Sequence, residues 1–129
     1  MTPEPPTFEA LGRQKTVLLT SFRRDGTPVG TPVNIAVGDG HAYFRTYDKA
    51  WKVKRIRNNP QVTVAPSTMR GSSTGPAIDA TARLLGGEEA ERARRLLTKK
   101  YRIIHGALVP LAHKLRRYQT FHYELTPRR

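Results

Sequence analysis

The first half of the chain carries three short segments in which apolar and β-branched residues are concentrated. Turn signals separate them, because Asp25-Gly26 follows the first segment and the sequence Gly-Asp-Gly, which begins at Gly38, follows the second. Asp-Gly between two such segments favours a tight hairpin turn. We therefore predict an antiparallel meander of three strands at residues 15–22, 29–37 and 41–47.

Two prolines, Pro28 and Pro32, lie at the beginning of the second predicted strand. A proline nitrogen cannot donate a ladder hydrogen bond. We therefore expect this strand at an edge, at a bulge, or where backbone is left free for a ligand.

A helix is predicted at residues 49–58, directly after the third strand. Ala50, Val53 and Ile56 recur there with helical spacing and form one inward face. The sequence Asn-Asn-Pro that ends at Pro60 terminates the helix, since proline disfavours helix in the residue before it.

The second half of the chain contains three more strand patterns and the longest helical pattern. That helix has glutamates in its first turn and Lys99 and Lys100 in its last, which the helix dipole favours. A loop is predicted at residues 68–76. Strands are predicted at residues 61–67, 77–85 and 118–126, and helices at residues 8–11, 87–101 and 107–116.

Six strands with closely spaced turns, and few helices, predict a mainly β fold. A six-stranded antiparallel barrel with flanking helices satisfies this pattern and removes exposed strand edges. At 129 residues the chain has the length of one ordinary domain. We predict a single domain over residues 1–129, in which residues 1–7 form a loose, proline-rich N-terminus.

The composition is strongly basic, with 23 Lys and Arg against 10 Asp and Glu and a formal charge of +13. Such a surplus attracts nucleic acid, anionic lipid, or a phosphorylated or polycarboxylate small molecule. There is no cysteine, which excludes disulfides and thiolate chemistry. The N-terminus lacks the apolar run of a signal peptide, and no apolar stretch approaches the length of a bilayer span. We therefore expect a cytoplasmic protein that does not bind membranes.

Candidate catalytic side chains are scarce. The serines lie in no Gly-x-Ser-x-Gly motif, and the histidines show no metal-ligand spacing, so we predict neither a catalytic side chain nor a metal site. Asp79 is the one carboxylate that its strand pattern directs toward a barrel interior or groove, and a solvated strand residue is the simpler interpretation. An enzyme of this composition takes its reactivity from a cofactor.

The segment RTYDKAWKVKRIRNNP, which begins at Arg45, places six basic side chains around the only tryptophan of the chain. Helical spacing puts Lys49, Lys52 and Arg55 on one face, directly after the strand end at Arg45 and Thr46. A strand end, a hydroxyl and the first turn of a helix together form a phosphate site. A solvated basic face is the alternative.

Single-stranded nucleic acid is a further alternative ligand, because barrels with a basic face and exposed aromatic residues bind it. Tyr43, Phe44 and Tyr47 lie close together on one strand, however, and form no extended stacking platform. We therefore favour a small anionic ligand and expect no nucleic-acid partner.

Three segments, TSFRRDGTPVGTPVNI, HAYFRTYDKAWKVKRIRNNPQVTVAPS and GPAIDATARLL, carry a family resemblance in their order and spacing. They resemble the flavin and deazaflavin oxidoreductases of the split β-barrel fold, which are related to pyridoxamine phosphate oxidase. The resemblance covers residues 8–125 and is closest to the subgroup assigned to coenzyme F420. It implies the FMN-binding split-barrel fold and a homodimer with two cofactor grooves between its subunits. We expect residues 107–112 and 118–123 near that interface.

The resemblance also implies a set of cofactor-binding residues. Backbone of the second strand is expected beside the isoalloxazine-like ring, and the end of the third strand with the following helix is expected to hold the phosphate. The residues so implied are Pro32, Val33, Asn34, Arg45, Thr46, Trp51 and Lys52. Lys49 and Arg55 are added from helical spacing alone.

The function implied is that of a coenzyme F420 (deazaflavin)-binding oxidoreductase whose reduced cofactor donates hydride to a small organic acceptor. F420 carries a phosphodiester and a polyglutamate tail, so the high positive charge favours it over FMN. Hydride transfer requires no side-chain nucleophile. The sequence lacks the C-terminal substrate-binding region of the oxidase, so vitamin chemistry is not expected. An FMN-binding or haem-binding member and a non-catalytic cofactor-binding protein stay open as alternatives.

Overall fold

The computed structural model describes residues 8–101 and 119–128. Within these ranges the chain forms three helices and seven strands. The helices are α1 (Phe8–Leu11), α2 (Trp51–Asn58) and α3 (Gly87–Lys100). The strands are β1 (Val17–Phe22), β2 (Pro28–Val33), β3 (Ala36–Gly38), β4 (His41–Tyr47), β5 (Gln61–Pro66), β6 (Ile78–Leu84) and β7 (Thr120–Pro127).

All seven strands belong to one antiparallel sheet with the order β2-β1-β5-β6-β7-β4-β3. The edge strands β2 and β3 are consecutive in the chain, and only Asn34 and Ile35 separate them. The Cα atoms of Val33 and Ala36 therefore lie at most about 11 Å apart. Because the two edges of the sheet are tied together in this way, the sheet curls into a barrel, and the predicted mainly β split-barrel class is confirmed.

The prediction of six strands was wrong in one place. The second predicted strand, residues 29–37, is two strands, because β2 pairs with β1 whereas β3 pairs with β4 on the other edge. The three-strand meander is therefore two hairpins joined across the barrel. Apolar periodicity runs through the junction because both halves contribute to the same core, so the sequence pattern gave no sign of the change of partner.

Turn residues fix both hairpins as their sequences predicted. Asp39 and Gly40 have positive φ values of 53° and 79°, the signature of the type I′ turn that suits twisted strands. In the β1–β2 turn the Thr27 N–H donates to Asp25 Oδ1 at 2.9 Å, and Gly26 adopts a φ of 91°.

The barrel interior is apolar, and α2 packs against it. Phe44 and Tyr123 stack inside the barrel with ring centroids 5.1 Å apart. Val53 and Ile56 of α2 are buried in the same core, and Ala50 packs against it, which confirms the predicted inward face. The helix begins at Trp51, two residues later than predicted.

Helix α3 packs outside the barrel against β3, β4 and β7. Leu97 and Tyr101 form a second, small apolar cluster with Ala36. The helix ends one residue before its predicted end. None of the helices in residues 8–101 and 119–128 is long and apolar enough to cross a membrane.

Several predictions fall outside the described residues, namely the N-terminus at residues 1–7, the helix at 107–116 and the interface segment at 107–112. The other expected interface segment, residues 118–123, lies partly in β7. Tyr123 is 3% exposed and stacks in the core, and Phe121 packs against the same core. The Tyr123 ring therefore completes the interior of a single chain, and the expectation that this strand lies near a subunit interface stays a prediction.

Candidate cofactor-binding site

Lys52 and Arg55 lie one helical turn apart on α2, and both are half-buried. The Arg55 Nε–H donates to Ser21 Oγ at 2.7 Å. Ser21 is 1% exposed and comes from the inward side of β1, so this bond fixes the guanidinium against the end of that strand. The Arg55 guanidinium is thus held between α2 and β1, one helical turn from Lys52.

The charges of these side chains repel one another. Burial lowers the pKa of Lys52, and the neighbouring Arg55 lowers it further. Burial and Arg23 do the same to the pKa of Arg55. Within residues 8–101 and 119–128, no salt bridge joins Lys52, Arg55 or Arg23 to a carboxylate. We call Lys52, Arg55 and Arg23 the α2 basic row, and an anion bound there would relieve the repulsion.

An open cavity of about 460 Å³ continues the α2 basic row at the β1–β2 turn. Arg23 and Arg24 are both exposed at this cavity. The nearby Asp25 carboxylate is engaged within its own turn by the Thr27 N–H. The lining residues are Phe22, Arg23, Arg24, Gly26, Asn58 and Asn59.

The beginning of α2 places Lys49 and Trp51 differently from Lys52. Ala50 is the N-cap and offers no side-chain hydrogen bond to the first turn. Lys49 precedes this cap and is exposed, so the helical spacing from which it was predicted does not apply to it. Trp51 is 70% exposed, and Lys54 Nζ lies 4.7 Å from the centroid of its indole ring. Trp51 therefore faces solvent with Lys54.

Arg45 and Thr46 lie near the end of β4 and point to opposite sides of the sheet, as successive strand residues do. Thr46 shares the side of the buried Phe44, whereas Arg45 lies on the outer side beside α3. Burial lowers the pKa of Arg45, and Arg94 of α3 lowers it further. Burial, Arg45 and Arg94 likewise lower the pKa of His122. Within one chain, Arg45 thus belongs to a different basic group from Lys52.

The segment predicted to contact the ring lies on the edge strand β2 and just beyond it. Pro32 is exposed, Val33 is buried and Asn34 is half-buried. Of the alternatives predicted from the prolines, the position at a sheet edge is confirmed. Val33 pairs with Val17 at the start of β1.

The two predicted halves of the site lie at opposite ends of one strand. Arg55 contacts Ser21, which is four residues beyond Val17 on β1. Four residues of extended strand correspond to about 13 Å. A ligand with a ring system at one end and a phosphate at the other suits this separation.

Sequence reasoning missed three contributors to this region. Ser21 and Arg23 are distant in the chain from α2, and only the pair of arginines before the Asp-Gly turn was a visible signal. The third is the loop at residues 68–76, which folds back onto β1 and β2. A Cβ atom at Gly71 would lie 3.5 Å from Pro32 Cδ and 3.9 Å from Leu18 Cδ1. The composition of the loop indicated flexibility but not its contact with Pro32.

Asp79 was the one carboxylate considered for an interior position, and it is exposed. Its simpler interpretation as a solvated strand residue is therefore confirmed. Among the residues that the structure describes, no group of three or more His, Asp and Glu side chains is arranged to hold a metal ion.

A curled antiparallel sheet with a short helix packed on its core defines the class of small split-barrel proteins. The chain matches the family described as Pyridoxamine 5'-phosphate oxidase over residues 5–126, and it belongs to this family. No curated protein sequence matches the chain.

Solved structures similar to the chain include proteins that bind different cofactors. An F420-H2 dependent reductase has a TM-score of 0.63 at 18% identity, with 86% of this chain and 93% of the other covered. A FAD-binding protein from Mesorhizobium loti has a TM-score of 0.69 at 16% identity, with 95% and 85% covered. HutZ, a heme storage protein from Vibrio cholerae, has a TM-score of 0.68 at 15% identity, with 95% and 87% covered. At these identities the similarity concerns the fold alone.

Proposed function

We propose that this protein binds the deazaflavin coenzyme F420 and acts as an oxidoreductase in which the reduced cofactor transfers hydride to a small organic acceptor. The observation that carries the proposal is the α2 basic row, in which burial and then a neighbouring cation lower the pKa of Lys52 and of Arg55, and no salt bridge to a carboxylate occurs among the described residues. Such an arrangement is costly unless an anion binds there.

The phosphate of the cofactor is assigned to Lys52 and Arg55. Each charge-assisted contact to a phosphate oxygen contributes about 1.5 to 3 kcal/mol. Ser21 keeps the Arg55 guanidinium in place, so little side-chain entropy is lost when the anion binds. Thr46, on the inward side at the end of β4, is a further candidate contact.

The ring system is assigned to the edge formed by Pro32, Val33 and Asn34, at the other end of β1. The support is the exposed position of Pro32 on an edge strand and the separation of about 13 Å along β1 between Val17 and Ser21, which Arg55 contacts. The loop at residues 68–76 lies against Pro32 and would limit the access of water to that side of the ring.

The reactive group in this proposal belongs to the cofactor, which supplies a hydride when it is reduced. The chain's own contribution is to bind the phosphate, to fix the ring at one edge strand and to exclude water. No side chain of the site is assigned a proton transfer or a nucleophilic step.

The choice of F420 over FMN rests on the cavity at the β1–β2 turn. Arg23 and Arg24 extend the positive charge beyond Lys52 and Arg55, and FMN carries no further anionic group that would reach them. The carboxylates of the F420 tail are suited to this position. FMN is the alternative cofactor, and it would use the Lys52 end of the row alone.

Parallel titration of the purified protein with F420 and FMN tests the proposal. We expect a dissociation constant for F420 below that for FMN, followed by hydride transfer from reduced F420 to an organic acceptor from a panel of quinones and nitroaromatics. Tight binding without turnover of any acceptor would favour the alternative of a non-catalytic cofactor-binding protein, as the heme storage neighbour illustrates for this fold. Absence of binding by either cofactor would contradict the proposal.

We also propose that the protein is a homodimer with two equivalent grooves, each using residues of both subunits. The support is the separation of Arg45 from the α2 basic row within one chain, which leaves a single chain with the cationic groups of its predicted site divided. Sedimentation equilibrium at low micromolar concentration, combined with the binding stoichiometry, tests this. A monomer that binds one cofactor tightly would contradict it.

A further inference from the structure

Ile35 lies between the two edge strands, where it belongs to no strand pair. Its side chain is fully buried in the barrel core. A buried backbone N–H and C=O that no ladder satisfies need other partners. The chain therefore requires a device at the point where it passes from one edge of the sheet to the other.

The end of α3 supplies both partners. The Ile35 N–H donates to the Tyr101 hydroxyl oxygen at 3.2 Å, and Lys100 Nζ donates to the Ile35 carbonyl oxygen at 2.6 Å. Lys100 Nζ also donates to the Gln14 carbonyl at 2.7 Å, and the Tyr101 hydroxyl lies 2.8 Å from the Lys15 carbonyl. The single hydroxyl proton of Tyr101 serves one carbonyl at a time, and the Ile35 carbonyl, at 3.0 Å, is the more distant of its two acceptors.

These contacts tie three parts of the chain together: the end of α3, the segment before β1 and the crossing between β2 and β3. We call Lys100 and Tyr101 the α3 latch. Tyr101 is 6% exposed, and its ring lies 5.1 Å from Lys100 Nζ. The Lys100 ammonium is half-buried against backbone carbonyls, and no salt bridge to it occurs among the described residues.

Stability alone does not account for a half-buried ammonium at this position. Burying a cation without a carboxylate is unfavourable, and an apolar side chain packed against the same surface is often the more stable solution. The latch instead fixes the orientation of the backbone, because its hydrogen-bond donors and acceptor bond both the N–H and the C=O of Ile35. A preorganised backbone is what a binding site that uses main-chain contacts requires.

We propose that Lys100 and Tyr101 are positioning residues, which hold the backbone at residues 34 and 35 so that the cofactor ring meets one fixed geometry at Pro32, Val33 and Asn34. The inference rests on the proposed function, since it concerns the same ring-binding edge. It adds a helix that contributes no residue to the predicted site and acts on the ring only through Ile35.

The test compares Tyr101→Phe and Lys100→Met with the wild-type protein. Both variants lose latch hydrogen bonds and keep an apolar body of similar size. We expect binding of both F420 and FMN to weaken about tenfold, since preorganisation of the ring-binding backbone is lost. We also expect the visible absorption band of the bound cofactor to shift, because that band reports the surroundings of the ring. Lys100→Arg keeps donors for the two carbonyls and should restore most of the affinity.

Tyr43→Phe is the matched control. Tyr43 is half-buried on β4, where it pairs with Ala36. The variant also removes a tyrosine hydroxyl, but not one that bonds the backbone of Ile35. Its dissociation constants and absorption band should equal those of the wild type. Melting temperatures are measured for every variant, so that a loss of stability is separated from a loss of ring geometry.

The outcomes separate the two proposals. If Tyr101→Phe and Lys100→Met melt earlier but bind both cofactors with wild-type constants and spectra, the latch is a stabilising contact only and the inference is overturned. If Tyr101→Phe folds and Lys100→Met does not, the Tyr101→Phe and Lys100→Arg spectra decide in the same way. If the wild-type protein binds neither cofactor, the proposed function is contradicted, and the inference about the latch is overturned with it.

Discussion

The chain has two arginine-rich regions that differ in what surrounds their charges. On the outer side of the barrel, Arg83 of β6 bonds Glu89 at 2.6 Å and Glu124 at 3.1 Å. Arg94 of α3 pairs with Glu91 one turn away. These pairings raise the pKa of both Arg83 and Arg94.

In the α2 basic row the shifts have the opposite sign. Burial lowers the pKa of Lys52 and Arg55, and each shift is increased by a neighbouring cation. The formal charge of +13 does not depend on which cations have carboxylate partners. Composition therefore cannot distinguish the two regions. The distinction comes from geometry, and it supports the proposal that an external anion binds at the α2 basic row.

The largest expected effect is that of Lys52→Ala on cofactor binding. Loss of one charge-assisted phosphate contact, worth about 1.5 to 3 kcal/mol, should weaken binding of both F420 and FMN at least about tenfold. Titration followed by cofactor fluorescence gives the dissociation constants.

Lys54→Ala is the control for that measurement, because it removes the same charge from the same helix. Lys54 is exposed and lies over the Trp51 ring, away from Arg55. Its loss should leave the dissociation constant nearly unchanged. Equal effects of the two variants would mean that α2 acts only as diffuse positive charge.

A smaller, cofactor-dependent effect is expected from the double variant Arg23→Ser/Arg24→Ser. Both arginines are exposed at the cavity beyond Arg55, so each contributes a screened, modest attraction. F420 binding should weaken about threefold to tenfold and become less sensitive to salt, whereas FMN binding should change little. An equal loss for both cofactors would place the arginines near the phosphate instead of the tail.

The architecture was largely readable from the sequence because its signals are local. Asp-Gly turns, alternating burial in β1 and the inward face of α2 each depend on residues that are neighbours in the chain. The change of partner between β2 and β3 was not readable, because Val33 and Ala36 both face apolar surroundings and only the pairing differs.

The candidate site was readable only in part, for a related reason. Lys52 and Arg55 follow from helical spacing, but Ser21 and Arg23 reach them through the packing of α2 on β1, which no periodicity encodes. Strand alternation did contain the information that Arg45 and Thr46 face opposite sides. What it lacked was the position of α3, which brings Arg94 against Arg45.

Lys100 differs from the cations of both regions, because its ammonium donates to backbone carbonyls instead of carboxylates. Burial lowers its pKa from 10.5 to about 8. Between these two values the unfolded chain binds more protons than the folded chain, so stability should rise as the pH increases from about 8 toward 10. Below about pH 8 both states are protonated and the unfavourable burial is fully present.

Melting temperatures of the wild type and of Lys100→Met across this pH range check the assignment. The wild type should gain stability relative to the variant as the pH rises. Burial raises the pKa of Tyr101, which moves its titration away from this window. A difference between the two proteins that stays constant with pH would contradict the lowered pKa of Lys100.

The smallest effect is expected in the paired region, from Arg83→Ala. Its partners are partly exposed, and exposed ion pairs contribute little because water and salt screen them. The melting temperature should fall by no more than a few degrees, with a smaller difference in high salt, and the dissociation constants of F420 and FMN should not change. Thermal unfolding at two salt concentrations and one pair of titrations are sufficient. If Arg83→Ala weakened cofactor binding as strongly as Lys52→Ala, a cation with carboxylate partners would contribute to binding as much as one without. The contrast in pKa shifts would then no longer support the proposed position of the site.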